Sequence, residues 1–337
     1  MLRIALRVRL RAAPSAQDDT LIEMCQNFLI TLIEDNEDSV SNSLFSFAYL
    51  YFTENYEDSA AISVFFCLLF FFKRKVRERW KMKNFIFTVD DNIRFLKELT
   101  EGAYFSAFEH PYLAMYKRLH EKYGLRVQLN LFYELGDFNL SQVTDRYREE
   151  FRSHSDWLKM SFHSRLENVR PYENSDYDEV FRDCQNVHRQ ILRFASVENL
   201  GRTTTLHYCL ATPEGLRAMG DNGVIGLLGL YGTESSPKKS YQSTNEQGDR
   251  IRRGELVKEG GISYGGIDIV LNLFSKDDIL SELRYLLDRE LVKIMIHEQY
   301  FYPDYRKYQA DFEEKLDAAF ELLVKNNFES AFFEDIL

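Results

Sequence analysis

The stretch Phe85-Ile86-Phe87-Thr88-Val89-Asp90-Asp91-Asn92 decides how this chain is read. It starts apolar and ends in two adjacent carboxylates. A short run that is apolar on both faces is the pattern of a strand buried on both sides, as in a parallel sheet covered by helices. In such sheets, ligands and chemistry gather at the carboxyl ends of the strands, and Asp90 and Asp91 fall at that end. Neighbouring side chains on a strand point to opposite faces. Two adjacent acids serving one site therefore imply a strand that breaks into a turn just there. One acid could then hold a cation while the other moves a proton. The competing reading is a helix start with Asp91 or Asn92 as N-cap. Ile93 and Leu96 stand at helical spacing and predict a helix from Asn92 to Leu99.

Working outward, the pattern repeats. Pro111 opens a helix carrying Leu113, Met115, Tyr116 and Leu119, which Gly124 stops. Strand two is expected from Leu125 to Tyr133. Ser141 is expected to cap a charged helix ending near Phe151. Trp157 to His163 reads as strand three and Asp176 to Phe194 as an amphipathic helix. Thr203 to Leu210, carrying His207, reads as strand four. Thr212-Pro213-Glu214 starts a helix that Gly220 ends. Val224 to Tyr231 is expected to be strand five, Ile267 to Phe274 strand six, and Leu291 to Ile296 strand seven, ending in His297 and Glu298. Helices are expected from Lys276 to Glu290 and from Tyr305 to Asn326. The polar insertion 232–261 reads as a hairpin or a lid over the sheet's end. This alternation predicts an α/β fold with a parallel sheet, either closed as a (β/α) barrel or doubly wound. No GxGxxG follows the first strand and no Walker loop occurs, which argues against a nucleotide fold.

Composition narrows the function. The chain of 337 residues is 45% hydrophobic and 15% aromatic, enough for a large core. Its net charge of -11 argues against a general nucleic-acid binder. Cys25, Cys67, Cys184 and Cys209 lack ligand-like spacing and read as reduced and buried, which suits a cytoplasmic protein. Residues 1–81 differ from the rest. They combine an arginine-rich start, an acidic stretch, the apolar run 61–72 and a basic run. The apolar run is shorter than the roughly 20 residues of a membrane span, so no integral membrane segment is expected. Its order is wrong for a signal peptide. The segment reads as a helical extension, as a membrane-surface or partner-binding arm, or as sequence that is not a natural part of a protein starting at Met82. The organised domain is expected over 82–337.

Polar residues recur at the expected carboxyl ends of strands: Asp90 and Asp91, His163, His207, and His297 with Glu298. The chain has only seven histidines, and these three fall in or at the end of buried-looking strands. Carboxylate with imidazole suits Zn²⁺ or another borderline divalent ion. His163 and Glu167 would share a face if a helical turn began there. Each has a plainer reading, His207 as a core histidine and Glu167 as a solvated loop acid. His110, His120, His154 and His188 fall on expected polar faces or loops and receive no role.

Thr88-Val89-Asp90-Asp91-Asn92 resembles the Thr-Phe-Asp-Asp-Gly motif of the polysaccharide deacetylases, the NodB-homology family. Phe162-His163-Ser164-Arg165-Leu166-Glu167 is similar to that family's second motif, His-Ser/Thr-x-x-His. Ile294-Met295-Ile296-His297 resembles its last motif, an apolar strand ending in histidine. The resemblance covers roughly 82–305 and describes a divergent member, with Asn92 in place of glycine and Glu167 in place of the second histidine. It implies a distorted seven-stranded (β/α) barrel and metal-dependent deacetylation of an N-acetylated carbohydrate. It implies Asp90 as general base, His297 as general acid, and Asp91 and His163 as metal ligands. Glu167 or His207 would complete the set. Zn²⁺ is the first expectation for the ion, with Mn²⁺, Co²⁺ or Ni²⁺ as alternatives. The family's arginine motif has no match on strand four; Arg170-Pro171-Tyr172 follows another strand. Tyr172, Glu298 and Tyr300 are candidate substrate-binding residues, and Tyr300, Phe301 and Tyr302 read as sugar-stacking walls or as core. The alternatives are a barrel hydrolase of another amide or glycosidic bond, or a non-catalytic carbohydrate-binding barrel.

Overall fold

Phe85, Phe87 and Val89 alternate along the first strand with Ile86, Thr88 and Asp90, and both sets are buried. The computed structural model describes residues 82–337, apart from 168–171 and 234. The expectations for residues 1–81 and for Arg170-Pro171 lie outside the described residues. In chain order the elements are β1 (Lys83–Asn92), α1 (Arg94–Glu101), α2 (Pro111–Tyr123), β2 (Val127–Leu135), β3 (Phe138–Asn139), α3 (Arg148–Ser153), β4 (Leu158–Leu166), α4 (Tyr177–Phe194), β5 (Thr203–Thr204), α5 (Pro213–Asp221), β6 (Gly226–Gly229), α6 (Asn245–Arg252), β7 (Val257–Glu259), β8 (Ile262–Gly266), β9 (Ile269–Val270), α7 (Lys276–Leu286), β10 (Leu291–His297), α8 (Phe312–Lys325), β11 (Phe328–Ala331) and α9 (Phe333–Ile336).

β1 is central. It pairs in parallel with β10 and β2, and its first residues pair with β11. β4 extends the sheet beyond β2, and β9 extends it beyond β10. A second ladder runs β5-β6-β8-β7. The two ladders meet at both edges. On one side Met160 bridges Leu200, and the Gly201 N–H donates to the Met160 carbonyl at 2.8 Å. On the other, the chain leaves β6's side at Gly266 and joins β10 as β9, with the Asp268 N–H on the Lys293 carbonyl at 2.8 Å. This is an α/β fold of the (β/α)-barrel kind, distorted because its strands form two ladders rather than one.

The two faces of β1 have different chemistry. Phe85 and Phe87 pack outward, with ring centroids 5.5 and 5.0 Å from Phe320 on α8, and Phe87 lies 6.0 Å from Tyr116 on α2. The inward face is polar. Thr88 lies beside Gln128 in register, Asn130 beside Ser161, and Asp90 beside His297. A buried polar group is costly unless paired, and here Gln128, Asn130, Ser161 and Asp90 form a connected set of hydrogen bonds. The Gln128 amide donates to Asn130 Oδ1 (2.9 Å) and to the Thr203 carbonyl (2.8 Å), and the Ser161 hydroxyl donates to Asn130 Oδ1 at 2.6 Å.

Several expected boundaries move. Strand three continues to Leu166 because Phe132 and Glu134 keep pairing with Ser164 and Leu166. His163 is therefore inside a strand, and no helical turn puts Glu167 on its face. Strand four ends at Thr204, and His207 opens a tight turn (His207–Cys209) in which Tyr208 and Cys209 have φ of 60° and 55°. The expected strand six shrinks to β9, followed by a short turn over Leu271–Leu273, and strand five shortens to Gly226–Gly229. Ser141 caps nothing; Asn139 caps a short turn over Leu140–Gln142, and the charged helix is only Arg148–Ser153. The insertion holds α6 and β7, and β7 forms a hairpin with β8, a strand just beyond it that was not expected. The last long helix starts at Phe312, and β11 was not expected. His110 and His188 are buried rather than on polar faces. Cys184 and Cys209 are free and buried, as expected. Among the described residues no helix is long and apolar enough to cross a membrane.

Candidate metal and acid–base site

The strand breaks where its two acids stand. The β1–β2 register shifts between Val89 and Asn92, and Asp91 has φ 64°. A residue with a side chain enters this left-handed region at a cost of about 1–3 kcal/mol and does so mainly at functional sites. The bulge turns both carboxylates toward the same inner face. Asn92 fastens it: its Nδ2 donates to the Val89 carbonyl at 2.6 Å, and its Oδ1 accepts from the Tyr112 hydroxyl at 2.7 Å. The residue that replaces glycine in the motif thus ties the bulge with its side chain.

α1 begins directly afterwards, yet neither Asp91 nor Asn92 caps it. Glu298 does so from the other end of the domain. One of its oxygens accepts from the N–H groups of Ile93 (2.8 Å) and Arg94 (3.0 Å); the other accepts from Phe95 (2.8 Å) and the Tyr302 hydroxyl (3.1 Å). Glu298 is buried with both oxygens occupied, and so leaves the substrate-binding set. Its capping leaves Asp91 free for other partners.

Those partners are His163 and His207. Asp91 Oδ1 lies 3.0 Å from His163 Nε2 and 3.4 Å from His207 Nδ1, and the two ring nitrogens are 3.1 Å apart. Bonds from zinc to nitrogen or oxygen of about 2.0–2.2 Å put the corners of a tetrahedron roughly 3.3 Å apart. The donor chemistry fits a cation as well. His163 Nδ1 faces the Thr205 carbonyl at 2.5 Å. A carbonyl only accepts, so this nitrogen carries the hydrogen and Nε2 of the neutral ring is a lone pair. It faces a carboxylate oxygen, also a lone pair. A proton on His207 Nδ1 can serve only one of them. The trio therefore calls for a positive centre, either a second proton or a metal ion, and the remaining corner of a tetrahedron would be open to water or substrate.

Burial acts to raise Asp91's pKa, but the hydrogen bonds to His163 and His207 outweigh it and hold the carboxyl well below its usual range. Burial acts to lower that of His163; the charges of Asp90 and Asp91 reverse this and leave it raised. Burial lowers His207. Asp90 is raised by burial against the pull of His163 and His297.

Asp90 and His297 are register partners on neighbouring parallel strands. Each is steadied by a neutral amide. Asn130 Nδ2 donates to Asp90 Oδ1 at 2.6 Å, and His297 Nδ1 stands 2.8 Å from Asn272 Oδ1. Gln299 Nε2 donates to Asp91 Oδ2 at 2.6 Å. None of these three amides was singled out in the sequence. Asn130 had a signal, since Gln128 and Asn130 break an apolar strand at period two; Gln299 and Asn272 had none beyond nearness to His297 and the expected strand six.

The other sequence candidates are dispersed. Glu167 is half-buried and feels Asp91, whose charge adds to burial in raising its carboxyl, but its oxygens lie outside the converged trio. Tyr172 is buried in the core, its hydroxyl accepting from the Arg165 N–H (3.0 Å) and donating to Asp183 (3.2 Å), so it too leaves the substrate set. Phe301 and Tyr302 pack on Tyr112, at 5.2 and 6.3 Å. Tyr300 is only partly buried, its ring 6.1 Å from that of His297.

No protein-family model matches the chain, and no curated protein matches it. Solved structures do. A 4-alpha-glucanotransferase from Thermococcus litoralis matches 75% of this chain at 13% identity with a TM-score of 0.48, and the chain spans 40% of that enzyme's length. A peptidoglycan N-acetylglucosamine deacetylase matches 77% of this chain and 89% of its own at 10% identity, TM-score 0.44. A family 4 carbohydrate esterase from Streptomyces lividans matches 74% of this chain and 92% of its own at 12% identity, TM-score 0.34. Several of the matched structures are thus polysaccharide or carbohydrate deacetylases, the class whose motifs the sequence resembles. At these identities and scores the likeness carries no argument, and the chemistry rests on the side chains just described.

Proposed function

We propose that residues 82–337 form a metal-dependent hydrolase that removes an acetyl group from an N-acetylated carbohydrate. The observation that carries this reading is the convergence of Asp91 Oδ1, His163 Nε2 and His207 Nδ1 beside the buried Asp90 and its half-buried register partner His297. Asp91, His163 and His207 would hold the ion, with Zn²⁺ the best fit to a carboxylate and two imidazoles. Bound there, the ion would polarise the amide carbonyl and lower the pKa of water.

The chain's own residues do the rest. Asp90 takes the proton from the attacking water. Asn130 occupies its Oδ1, which leaves Oδ2 for this task, and burial raises its proton affinity, which suits a base. Because Asn272 Oδ1 accepts from His297 Nδ1, the opposite nitrogen of His297 carries the exchangeable proton for the departing amine. Tyr300, beside His297, would form part of the sugar-facing wall. Buried amides in place of charged partners keep both groups oriented without adding net charge.

The test is acetate release from N-acetylglucosamine oligomers by Zn²⁺-loaded protein, with His207→Ala and Asp90→Asn alongside. Acetate release that depends on metal and on both residues supports the reading. A metal-loaded protein that releases acetate from none of a panel of N-acetyl sugars would redirect it to another amide or glycosidic bond.

A further inference from the structure

His207 stands on a turn that no glycine makes. Tyr208 and Cys209 follow it with φ of 60° and 55°, a region that residues with side chains rarely adopt. Two such residues in succession need support from outside the turn. It comes from the polar insertion. Tyr241 is buried, and its N–H donates to the Cys209 carbonyl at 2.9 Å. Its hydroxyl accepts from the Leu206 N–H at 3.2 Å and donates to the Leu228 carbonyl at 2.5 Å. One residue thus grips the turn on both sides of Tyr208 and ties it to β6. Gly229 on β6 makes the approach feasible, since a Cβ there would meet the Ser240 Cβ at 2.8 Å and the Tyr241 ring at 2.9 Å. Ser240 is fastened in turn, its hydroxyl donating to the Leu230 carbonyl at 2.7 Å.

We infer that Tyr241 is a positioning residue of the metal centre: it holds the Leu206–Cys209 turn in the conformation that aims His207 Nδ1 at Asp91 and His163. This inference rests on the reading of those three residues as a cation site. It makes part of the insertion a brace under the site rather than a lid over it. Removing the hydroxyl frees the Leu206 N–H and lets the turn relax toward ordinary backbone angles, carrying His207 away from its partners.

The experiment is a Co²⁺ titration of the metal-stripped full chain, read by visible absorption, for the parent, Tyr241→Phe, His207→Ala and the double variant. Partners that orient a ligand cost about 10–100-fold in metal affinity when lost. Tyr241→Phe is expected to bind Co²⁺ at least about 10-fold more weakly, with an altered visible band, and to have no further effect once His207 is alanine. Parent-like binding by Tyr241→Phe overturns the inference, as does an equal loss in the His207→Ala background, because that would mean general support of the fold. A parent that binds no Co²⁺ overturns the cation site and this inference with it. If Tyr241→Phe does not fold, Gly229→Ala displaces the same segment with the hydroxyl intact. The same weakening through His207 is then expected, and unchanged affinity overturns the inference.

Discussion

Replacing Glu298 separates a helix cap from a substrate wall. Its two oxygens receive four donors: three first-turn amides of α1 and the Tyr302 hydroxyl. In Glu298→Gln one oxygen becomes an NH2 group. If it lands on the Ile93–Arg94 side, two N–H donors face a third donor; on the other side Phe95 loses its acceptor, while the Tyr302 hydroxyl can turn and accept from the new NH2. Even this less costly orientation leaves one buried donor unpaired, at roughly 1–3 kcal/mol, and gives the remaining amides a neutral acceptor in place of a charged one, at about 1 kcal/mol more. A net loss of about 3 kcal/mol is expected. For a domain of this size each kcal/mol moves Tm by roughly 2–4 °C, so Tm should fall by roughly 6–12 °C. Glu298→Ala, which orphans all four donors, should fall further. Circular dichroism melts of the parent and both variants measure this, and the KM for an N-acetyl sugar below the transition measures the alternative. A Glu298→Gln variant that melts with the parent while its KM rises would refute the capping account and return Glu298 to the substrate wall.

Other expectations are more direct. His207→Ala should lose the bound metal, whereas Glu167→Gln should retain it, by metal analysis after dialysis; the reverse result would restore the sequence-based pairing of His163 with Glu167. Asp90→Asn should keep the metal but lower kcat by about 10²–10⁴-fold, the usual worth of a positioned base; unchanged turnover removes Asp90 from the mechanism. His188 is buried beside Cys184, with Sγ 3.5 Å from Nε2, and burial pushes its pKa down to about 4. It stays neutral in the fold while the unfolded chain takes up a proton below about pH 6.5, so stability is full above 6.5 and declines down to about 4, by about 3 kcal/mol. His188→Leu should flatten that acid limb in denaturant titrations between pH 7 and 4; an unchanged slope would place the titration elsewhere.

The parts of the fold that were legible in the sequence are those where local pattern and tertiary packing agree. β1 reads as a strand because both of its faces are buried, and α2 reads as a helix because Pro111 and Gly124 mark its ends and its apolar positions face the core. Asp90, Asp91, His163 and His297 stand out in the sequence because each falls at or near the end of such a strand, and the structure places Asp91 and His163 together. Two of the misreadings share one cause. Thr203-Thr204-Thr205-Leu206 is β-rich, and nothing after it signals a turn, because the left-handed positions are filled by Tyr208 and Cys209 rather than glycine or asparagine. Their conformation is imposed from Tyr241, 32 positions beyond Cys209 (241 − 209). Likewise α1 looked uncapped unless Asp91 or Asn92 supplied the cap, because its real cap comes from Glu298, 205 positions from Ile93.

These two long-range contacts have a common consequence. If Asp91 capped its own helix, it could not also face two imidazoles with Oδ1 and accept from Gln299 with Oδ2. If the Leu206–Cys209 segment continued as a regular strand, His207 would lie on a pleat next to Leu206 and Tyr208 rather than at a turn's tip. In both places the chain gives up the conformation its local sequence favours, and a buried residue from a distant segment holds the alternative. Local preference yields in this way where a site needs its groups fixed in place before ligand arrives. Here the two departures meet at one point, the oxygen and two nitrogens of Asp91, His163 and His207.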